Sequence, residues 1–282
     1  MARCLHGTVC STLLVICAAA LSANAQIKYL RGQDVAPAFE GWELNPDGSY
    51  SLVFGYLNRN YEEQVDVPIG PDNTIDPGGD RAQPTHFYTR RQRFVFKVDV
   101  PKDWDKKAKV IWKLTVHGKT NEAKGWLEPE WELNDEVISE NRAGGVLEAG
   151  NKPPTLTASS DQTINLGETL TVTASATDDG LPKPLPRRPP SADTSGVPAL
   201  PERQRHEGVM IKWIEYRGPG KVTFDQDASP AIYGKPVTMS TKATFSAPGS
   251  YWLQAIASDG QLATTQDVKV TVNPSASAQN KP

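Results

Sequence analysis

Apolar and polar residues alternate along several stretches of the first half of the chain, which predicts β-strands with one buried face. In residues 50–56, three aromatic residues and a leucine occupy every second position. Turn-forming residues flank this stretch, and we expect a tight turn at residues 45–48 and a hairpin tip at residues 58–60. Residues 65–69 alternate again and are predicted to form the returning strand.

The same alternation continues toward residue 145. Residues 86–100 and 110–117 predict two long, half-buried strands, and Pro101 ends the first of them. Residues 123–133, which contain two tryptophans, predict one or two edge strands. Because no long window has a 3.6-residue apolar period, residues 26–145 are predicted to form an all-β domain, an antiparallel β-sandwich.

Strand patterns with regular spacing follow in the second half of the chain. Trp213 and Tyr251 occupy the positions at which an immunoglobulin-type sandwich buries a tryptophan and places a corner tyrosine. We therefore predict an immunoglobulin-like β-sandwich over residues 155–273, after a linker at residues 146–154. Its predicted strands cover residues 170–176, 211–213, 237–245, 251–257 and 268–272.

Two segments lack the apolar content needed for a core. Residues 181–207 are dense in proline and arginine, and are predicted to be a flexible insertion between the second and third strands of the second domain. The tail at residues 274–282 is predicted to be disordered. Neither segment is expected to contribute to packing.

The N-terminus has the pattern of an export signal. A basic residue, an apolar run and small residues before Ala25 predict a signal peptide at residues 1–25. All three cysteines lie inside it, so the mature chain is expected to have no disulfide, thiol catalysis or cysteine zinc site. We expect a periplasmic or extracellular protein without a transmembrane segment after cleavage. The formal net charge of −3 does not indicate the basic surface that a nucleic-acid-binding protein needs.

Several motifs carry a resemblance to known proteins. Residues 176–182, 245–251 and 257–260 resemble the PKD-like and cadherin-like branch of the immunoglobulin superfamily. In the first domain, the AFEGW sequence at residues 38–42, the DGS sequence at residues 47–49 and the FGYLNRN sequence at residues 54–60 resemble a group of exported bacterial proteins of unknown function. The resemblance implies a fold and an exported location, but no activity.

Three aspartates are candidate calcium ligands. Asp178 and Asp179 lie between the second and third predicted strands of the immunoglobulin-like domain, and Asp259 lies between the last two. These loops meet at one end of such a sandwich, the end that faces the linker. The sequence thus allows a calcium site at the domain junction, although Asp-Gly pairs are also common turn residues.

Aromatic residues of the first domain are candidate sugar-binding residues, because sugar rings stack on exposed aromatic rings. The candidates are Trp42, Tyr56, Tyr61 and Tyr88, and the alternative is that these rings fill the core.

Catalytic signatures are missing from the sequence. His86, His117 and His206 lie in separate segments, without metal-ligand spacing or a nucleophile elbow.

We predict a secreted, non-enzymatic binding or scaffolding protein of the cell envelope whose partner is an envelope protein or a polysaccharide. The alternatives are a carbohydrate-binding module and a hydrolase with an unrecognised site. A deep pocket in which His86 or His117 converges with acidic side chains would contradict the non-enzymatic prediction. Oligomeric state is not predicted.

Overall fold

The computed structural model describes residues 29–142, 144–184 and 208–275. The predicted signal peptide, most of the predicted insertion and most of the predicted tail lie outside these residues. The first domain contains eight strands. They are β1 (Val35–Leu44), β2 (Tyr50–Asn58), β3 (Val65–Asp66), β4 (Asn73–Asp76), β5 (His86–Phe87), β6 (Arg90–Val100), β7 (Val110–Val116) and β8 (Lys119–Gly125).

The first domain contains two three-stranded antiparallel sheets, with strand orders β1-β2-β6 and β4-β7-β8, and a two-stranded sheet of β3 and β5. Their aromatic side chains pack against each other, and the ring centroids of Phe96 and Trp112 are 4.9 Å apart. Trp112 is fully buried, and its indole N–H donates a 3.0 Å hydrogen bond to Asn73. The all-β prediction is confirmed, and the alternating face of β2 supplies much of this core.

Local pairing differs from the prediction after β2. Both edges of β2 are occupied by β1 and β6, so residues 58–60 do not form a hairpin tip, and β3 pairs with β5 instead. Asn58 is fully buried, and its amide donates to the Glu63 and Phe87 carbonyl oxygens. The polar residues that suggested an exposed turn therefore satisfy buried backbone groups.

Two further elements differ from the sequence prediction. Strand β1 was not predicted, because its pairing with β2 shifts register between Phe39 and Gly41 and breaks the alternation. The predicted edge strands at residues 123–133 are only partly present: β8 ends at Gly125, and a 3₁₀ turn at Pro129–Trp131 follows. Helix α1 (Asp135–Asn141) begins after Asn134, whose side chain caps it by accepting from the Val137 N–H.

The described residues of the second domain form an immunoglobulin-like sandwich of eight strands in two sheets, with orders β10-β16-β15-β12 and β13-β14-β11-β9. Trp213 is buried in its core, and the Tyr251 hydroxyl donates a 2.7 Å hydrogen bond to the Ala247 carbonyl, which confirms both predicted positions. The strands are β9 (Thr155–Ala158), β10 (Gln162–Asn165), β11 (Leu170–Thr177), β12 (Met210–Arg217), β13 (Val222–Phe224), β14 (Val237–Phe245), β15 (Gly249–Ser258) and β16 (Ala263–Asn273).

The end of β12 docks the second domain onto the first. A register shift between Glu215 and Arg217 in the pairing with β15 leaves Tyr216 to turn toward the first domain, where it joins that domain's core. Its hydroxyl donates a 2.5 Å hydrogen bond to the Ala82 carbonyl. Arg217 adds two hydrogen bonds to the Asp80 carboxylate, at 2.8 and 3.1 Å. The two sandwiches thus share packed apolar surface and ion pairing.

The predicted linker is tied to the second domain. The Gln261 side chain accepts from the Glu148 N–H and the Asn151 amide, and it donates to the Gly144 and Val146 carbonyl oxygens. Gly144 lies so close that an added Cβ would be 2.6 Å from the Gly260 oxygen. Small residues here allow close packing.

Within the described part of the chain, no helix is long and apolar enough to cross a membrane.

Candidate functional site

A pocket of about 580 Å³ opens where the two domains meet. The first domain lines it with residues around β3 and β5, and the second lines it with β12 and the residues that follow. The residues that matter for its chemistry are Gln64, Asp66, His86, Tyr88, Lys221 and Asp227. Beside this pocket, the buried carboxylate of Glu215 approaches the imidazole of His86.

His86 lies between two oxygen acceptors. Its Nδ1 is 2.6 Å from Asp66 Oδ1, and its Nε2 is 2.9 Å from Gln64 Oε1. Asp66 and His86 are directly opposite each other in the β3–β5 pair, so the sheet register brings them together. The imidazole is only 6% exposed, whereas the Asp66 side chain is 54% exposed. The ring is therefore fixed from both sides beneath an accessible carboxylate.

Glu215 approaches the same imidazole from the second domain. Its Oε2 is 4.0 Å from His86 Nδ1 and also accepts a 2.8 Å hydrogen bond from the Val222 N–H. The side chain is 2% exposed, and its Oε1 has no hydrogen-bond partner among the described residues. Burial raises the pKa of Glu215 above its ordinary value, while the Val222 N–H and His86 act against that rise.

Tyr88 forms one wall of the pocket and contacts both domains. Its ring lies edge-on to the His86 imidazole, with centroids 4.6 Å apart. Its hydroxyl oxygen accepts a 2.9 Å hydrogen bond from the Glu215 backbone N–H. Burial raises the pKa of Tyr88, so the phenol keeps its proton at neutral pH. Of the four aromatic candidates, Tyr88 is the one that lines the pocket.

The other three aromatic candidates lie in different environments. Tyr56 is 2% exposed and packs edge-on against Phe87, so the structure corrects its assignment to a ligand-binding face: the ring belongs to the core. Trp42 is half-buried and donates its indole N–H to the Glu128 carbonyl oxygen. Tyr61 is exposed, with the Arg90 guanidinium 3.9 Å from its ring centroid. Sugar binding by Trp42, Tyr61 and Tyr88 stays a prediction.

The three predicted calcium ligands lie on two loops of the second domain, but among the described residues they do not form a group whose ligand atoms all lie within 4.8 Å of one another. Asp179 accepts a 3.1 Å hydrogen bond from the Lys152 N–H of the linker, which joins the loop after β11 to the domain entry. Asp259 is fully buried and accepts from the Gln261 and Leu262 N–H groups.

Among the described residues of these loops and of the linker, three buried oxygens have no hydrogen-bond partner. They are Asn151 Oδ1, Asp178 Oδ1 and Asp259 Oδ2. Burial raises the pKa of both Asp178 and Asp259, and their mutual repulsion adds to the shift at Asp178. Unpaired buried oxygens with raised pKa values are groups that a hard cation would satisfy.

His86 lies beside the carboxylates of Asp66 and Glu215, which the spacing of the histidines in the sequence did not predict. His117 is different: its Nε2 is 3.2 Å from Glu63 on an exposed surface. Sequence spacing missed the His86 cluster because its members come from three strands in two domains. One signal was available, since Glu215 follows Ile211 and Trp213 in the alternation of β12 and therefore places a carboxylate at an inward position.

Comparisons with known proteins leave the family open. No family model matches the sequence, and no curated protein matches it. The chain is similar to a solved human PKD domain at 15% identity, covering 48% of this chain and 94% of that one, with a TM-score of 0.23. It is also similar to fibronectin(III)-like modules of Clostridium thermocellum CbhA (12% identity, 88% and 97% coverage, TM-score 0.24) and to the D00-D0 domain of intimin (9%, 85% and 99%, 0.25). Overlaps of this quality do not assign a function.

Proposed function

We propose that the protein is an exported, non-enzymatic binding or scaffolding protein of the cell envelope. The observation that carries this proposal is the docking of its two β-sandwiches through Tyr216 and the Asp80–Arg217 ion pair. Such docking holds two surfaces in a fixed relation, as a scaffold requires. The basic residue, apolar run and small residues within residues 1–25 support export, and the partner is an envelope protein or polysaccharide.

The test begins with location and partner. We expect the protein expressed with its own leader to be recovered outside the cytoplasm with Gln26 as its first residue. The purified protein should then co-sediment with isolated cell envelopes. Loss of co-sedimentation after protease treatment of the envelopes identifies a protein partner, and loss after polysaccharide digestion identifies a glycan. Retention in the cytoplasm, or no co-sedimentation above that of an unrelated soluble protein, would refute the proposal.

Calcium at the linker end of the second domain is part of the same proposal. Calcium takes six to eight oxygen ligands at about 2.3–2.6 Å, and three unpaired oxygens of Asn151, Asp178 and Asp259 are available there. Asp179, on the same loop, adds a nearby carboxylate. The bound ion would fix the linker against the second domain.

Calorimetric titration with Ca²⁺ tests this site. We expect one saturable site and a raised unfolding temperature, both lost in Asp178→Asn, which removes charge from a half-buried position. Asp225→Asn, at an exposed aspartate of the same domain, is the matched control. Equal binding by the two variants, or no heat with the unmodified protein, would end the calcium proposal while leaving envelope binding intact.

A hydrolase is the second candidate, because the Asp66–His86 pair has the arrangement of a base and the carboxylate that orients it. The pocket places this pair beside Tyr88. A broad panel of ester, amide and glycoside substrates tests the idea. Turnover that disappears in His86→Asn but persists in His117→Asn would support a hydrolase and overturn the non-enzymatic proposal.

A further inference from the structure

The hydrogen-bond arrangement around His86 leaves one ring nitrogen facing an acceptor. His86 Nε2 lies 2.9 Å from Gln64 Oε1, and in the tautomer in which Nε2 donates to this oxygen the lone pair is at Nδ1. In that tautomer Nδ1 faces the Asp66 carboxylate at 2.6 Å, so two acceptors face each other. A cation bound by both groups removes this repulsion.

Glu215 supplies a third ligand on the same side. The ligand atoms of Asp66, His86 and Glu215 all lie within 4.8 Å of one another. In a tetrahedral site with bonds of about 2.0–2.1 Å, neighbouring ligand atoms are about 3.3 Å apart. The distances of 2.6 and 4.0 Å from His86 Nδ1 to Asp66 and Glu215 bracket that value. Small side-chain rotations would therefore bring all three ligands to bonding distance.

We propose that Asp66, His86 and Glu215 form a binding site for a divalent transition metal, of which Zn²⁺ is the best match. One imidazole nitrogen and two carboxylates are ligands that Zn²⁺ accepts, whereas Mg²⁺ and Ca²⁺ prefer oxygen ligands throughout. The Gln64 contact to Nε2 is the outer hydrogen bond that orients a metal-bound histidine. Glu215 is almost fully buried with one unpaired oxygen, so a positive charge beside it is favourable.

The site joins the two domains. Asp66 and His86 belong to the β3–β5 pair of the first domain, and Glu215 belongs to β12 of the second. Bound metal would therefore act as an inter-domain cross-link beside the Tyr216 contact. Three protein ligands leave a fourth position that faces the pocket, where a water molecule or an anionic ligand can bind.

Titration with Co²⁺, followed by competition with Zn²⁺, tests the proposal. The protein is the full chain with Cys4, Cys10 and Cys17 replaced by serine, so that no thiolate competes for metal. We expect one Co²⁺ per chain, visible absorption of the intensity typical of a tetrahedral site, and displacement by Zn²⁺ but not by Mg²⁺. Zn²⁺ should also raise the unfolding temperature.

Three variants separate this site from adventitious binding. Asp66→Asn changes an exposed ligand without disturbing the core, and it should weaken Co²⁺ binding at least tenfold and abolish the Zn²⁺-dependent thermal shift. His86→Asn should do the same. His117→Asn, at the exposed histidine beside Glu63, should bind as the parent does.

Some outcomes would overturn the inference. They are absence of saturable Co²⁺ binding in the parent, unchanged binding in Asp66→Asn, or an equal loss in His117→Asn. The calcium site and envelope binding do not use these ligands, so each can fail without the other. Asp227→Asn, at an exposed position on the same pocket, should leave metal affinity unchanged if the ligand set is correct.

Discussion

Replacing Tyr216 with alanine should uncouple the two domains and destabilise the first. The side chain is 3% exposed and packs in the first domain's core, although its backbone belongs to the second domain. An aromatic side chain buries about 150–250 Å², worth about 4–6 kcal/mol at about 25 cal/mol per Å². The unfolded chain already buries part of that area, so the measured loss should be smaller.

We therefore expect the free energy of unfolding of the first domain to fall by about 3–5 kcal/mol, as is typical of aromatic-to-alanine changes in cores. Tyr216→Phe keeps the ring and removes the hydrogen bond to Ala82, so it should cost about 1 kcal/mol. Burial raises the pKa of Tyr216 well above its ordinary value, so the hydroxyl remains a donor across the experimental pH range.

Urea unfolding followed by tryptophan fluorescence is a suitable assay, because Trp252 lies edge-on to Tyr216 at 5.2 Å between centroids. Small-angle X-ray scattering of the same variant should show a broader distribution of inter-domain distances. Tyr233→Ala, at an exposed tyrosine of the second domain, should change stability by less than about 0.5 kcal/mol. A loss below about 1 kcal/mol for Tyr216→Ala, with unchanged scattering, would refute the docking argument.

Three further predictions concern single contacts. Asn73→Ala should lower the free energy of unfolding by about 3 kcal/mol in thermal melts, since the fully buried amide makes three hydrogen bonds; a loss under about 1 kcal/mol would contradict this. Tyr251→Phe should cost about 1 kcal/mol in urea unfolding through loss of the bond to Ala247, and an unchanged midpoint would count against the corner contact. Arg217 hydrogen bonds hold the pKa of Asp80 below its ordinary value of 3.8, so the ion pair stabilises docking above that pH and is lost as pH falls through the lower folded value. Asp80→Asn should flatten this acid-side dependence in melts between about pH 2 and pH 5; an unaltered slope would show that the pair does not couple to folding.

Much of the fold was accessible from local pattern. The alternation in β2, β6, β7 and the strands of the second domain predicted buried faces, because a strand that packs on one side must place apolar residues at every second position. Trp213 and Tyr251 were assigned correctly because an immunoglobulin-type sandwich has fixed positions for a buried tryptophan and a corner tyrosine. Strand β1 was not predicted because its bulge breaks the alternation of apolar and polar residues. Asn58 was wrongly assigned to an exposed turn because the sequence alone does not distinguish a buried asparagine from an exposed one.

The two candidate sites differ in how far each could be predicted from the sequence. The expectation that Asp178, Asp179 and Asp259 group together followed from the known ends of an immunoglobulin-like sandwich and stays a prediction, since the contact seen there is that of Asp179 with the linker. The meeting of Asp66, His86 and Glu215 could not be predicted, because it depends on how the two domains dock. No spacing along the chain encodes that geometry.

By itself, the sequence determined the all-β class, the order of most strands and the residues that fill each core, since these depend on local periodicity and on burial of apolar area. Only the tertiary structure decided which strands became neighbours, that Tyr216 crosses into the other domain, and that His86 faces two carboxylates. Those features arise from contacts between residues far apart in sequence, whose free energy is gained only after both domains have formed and packed together.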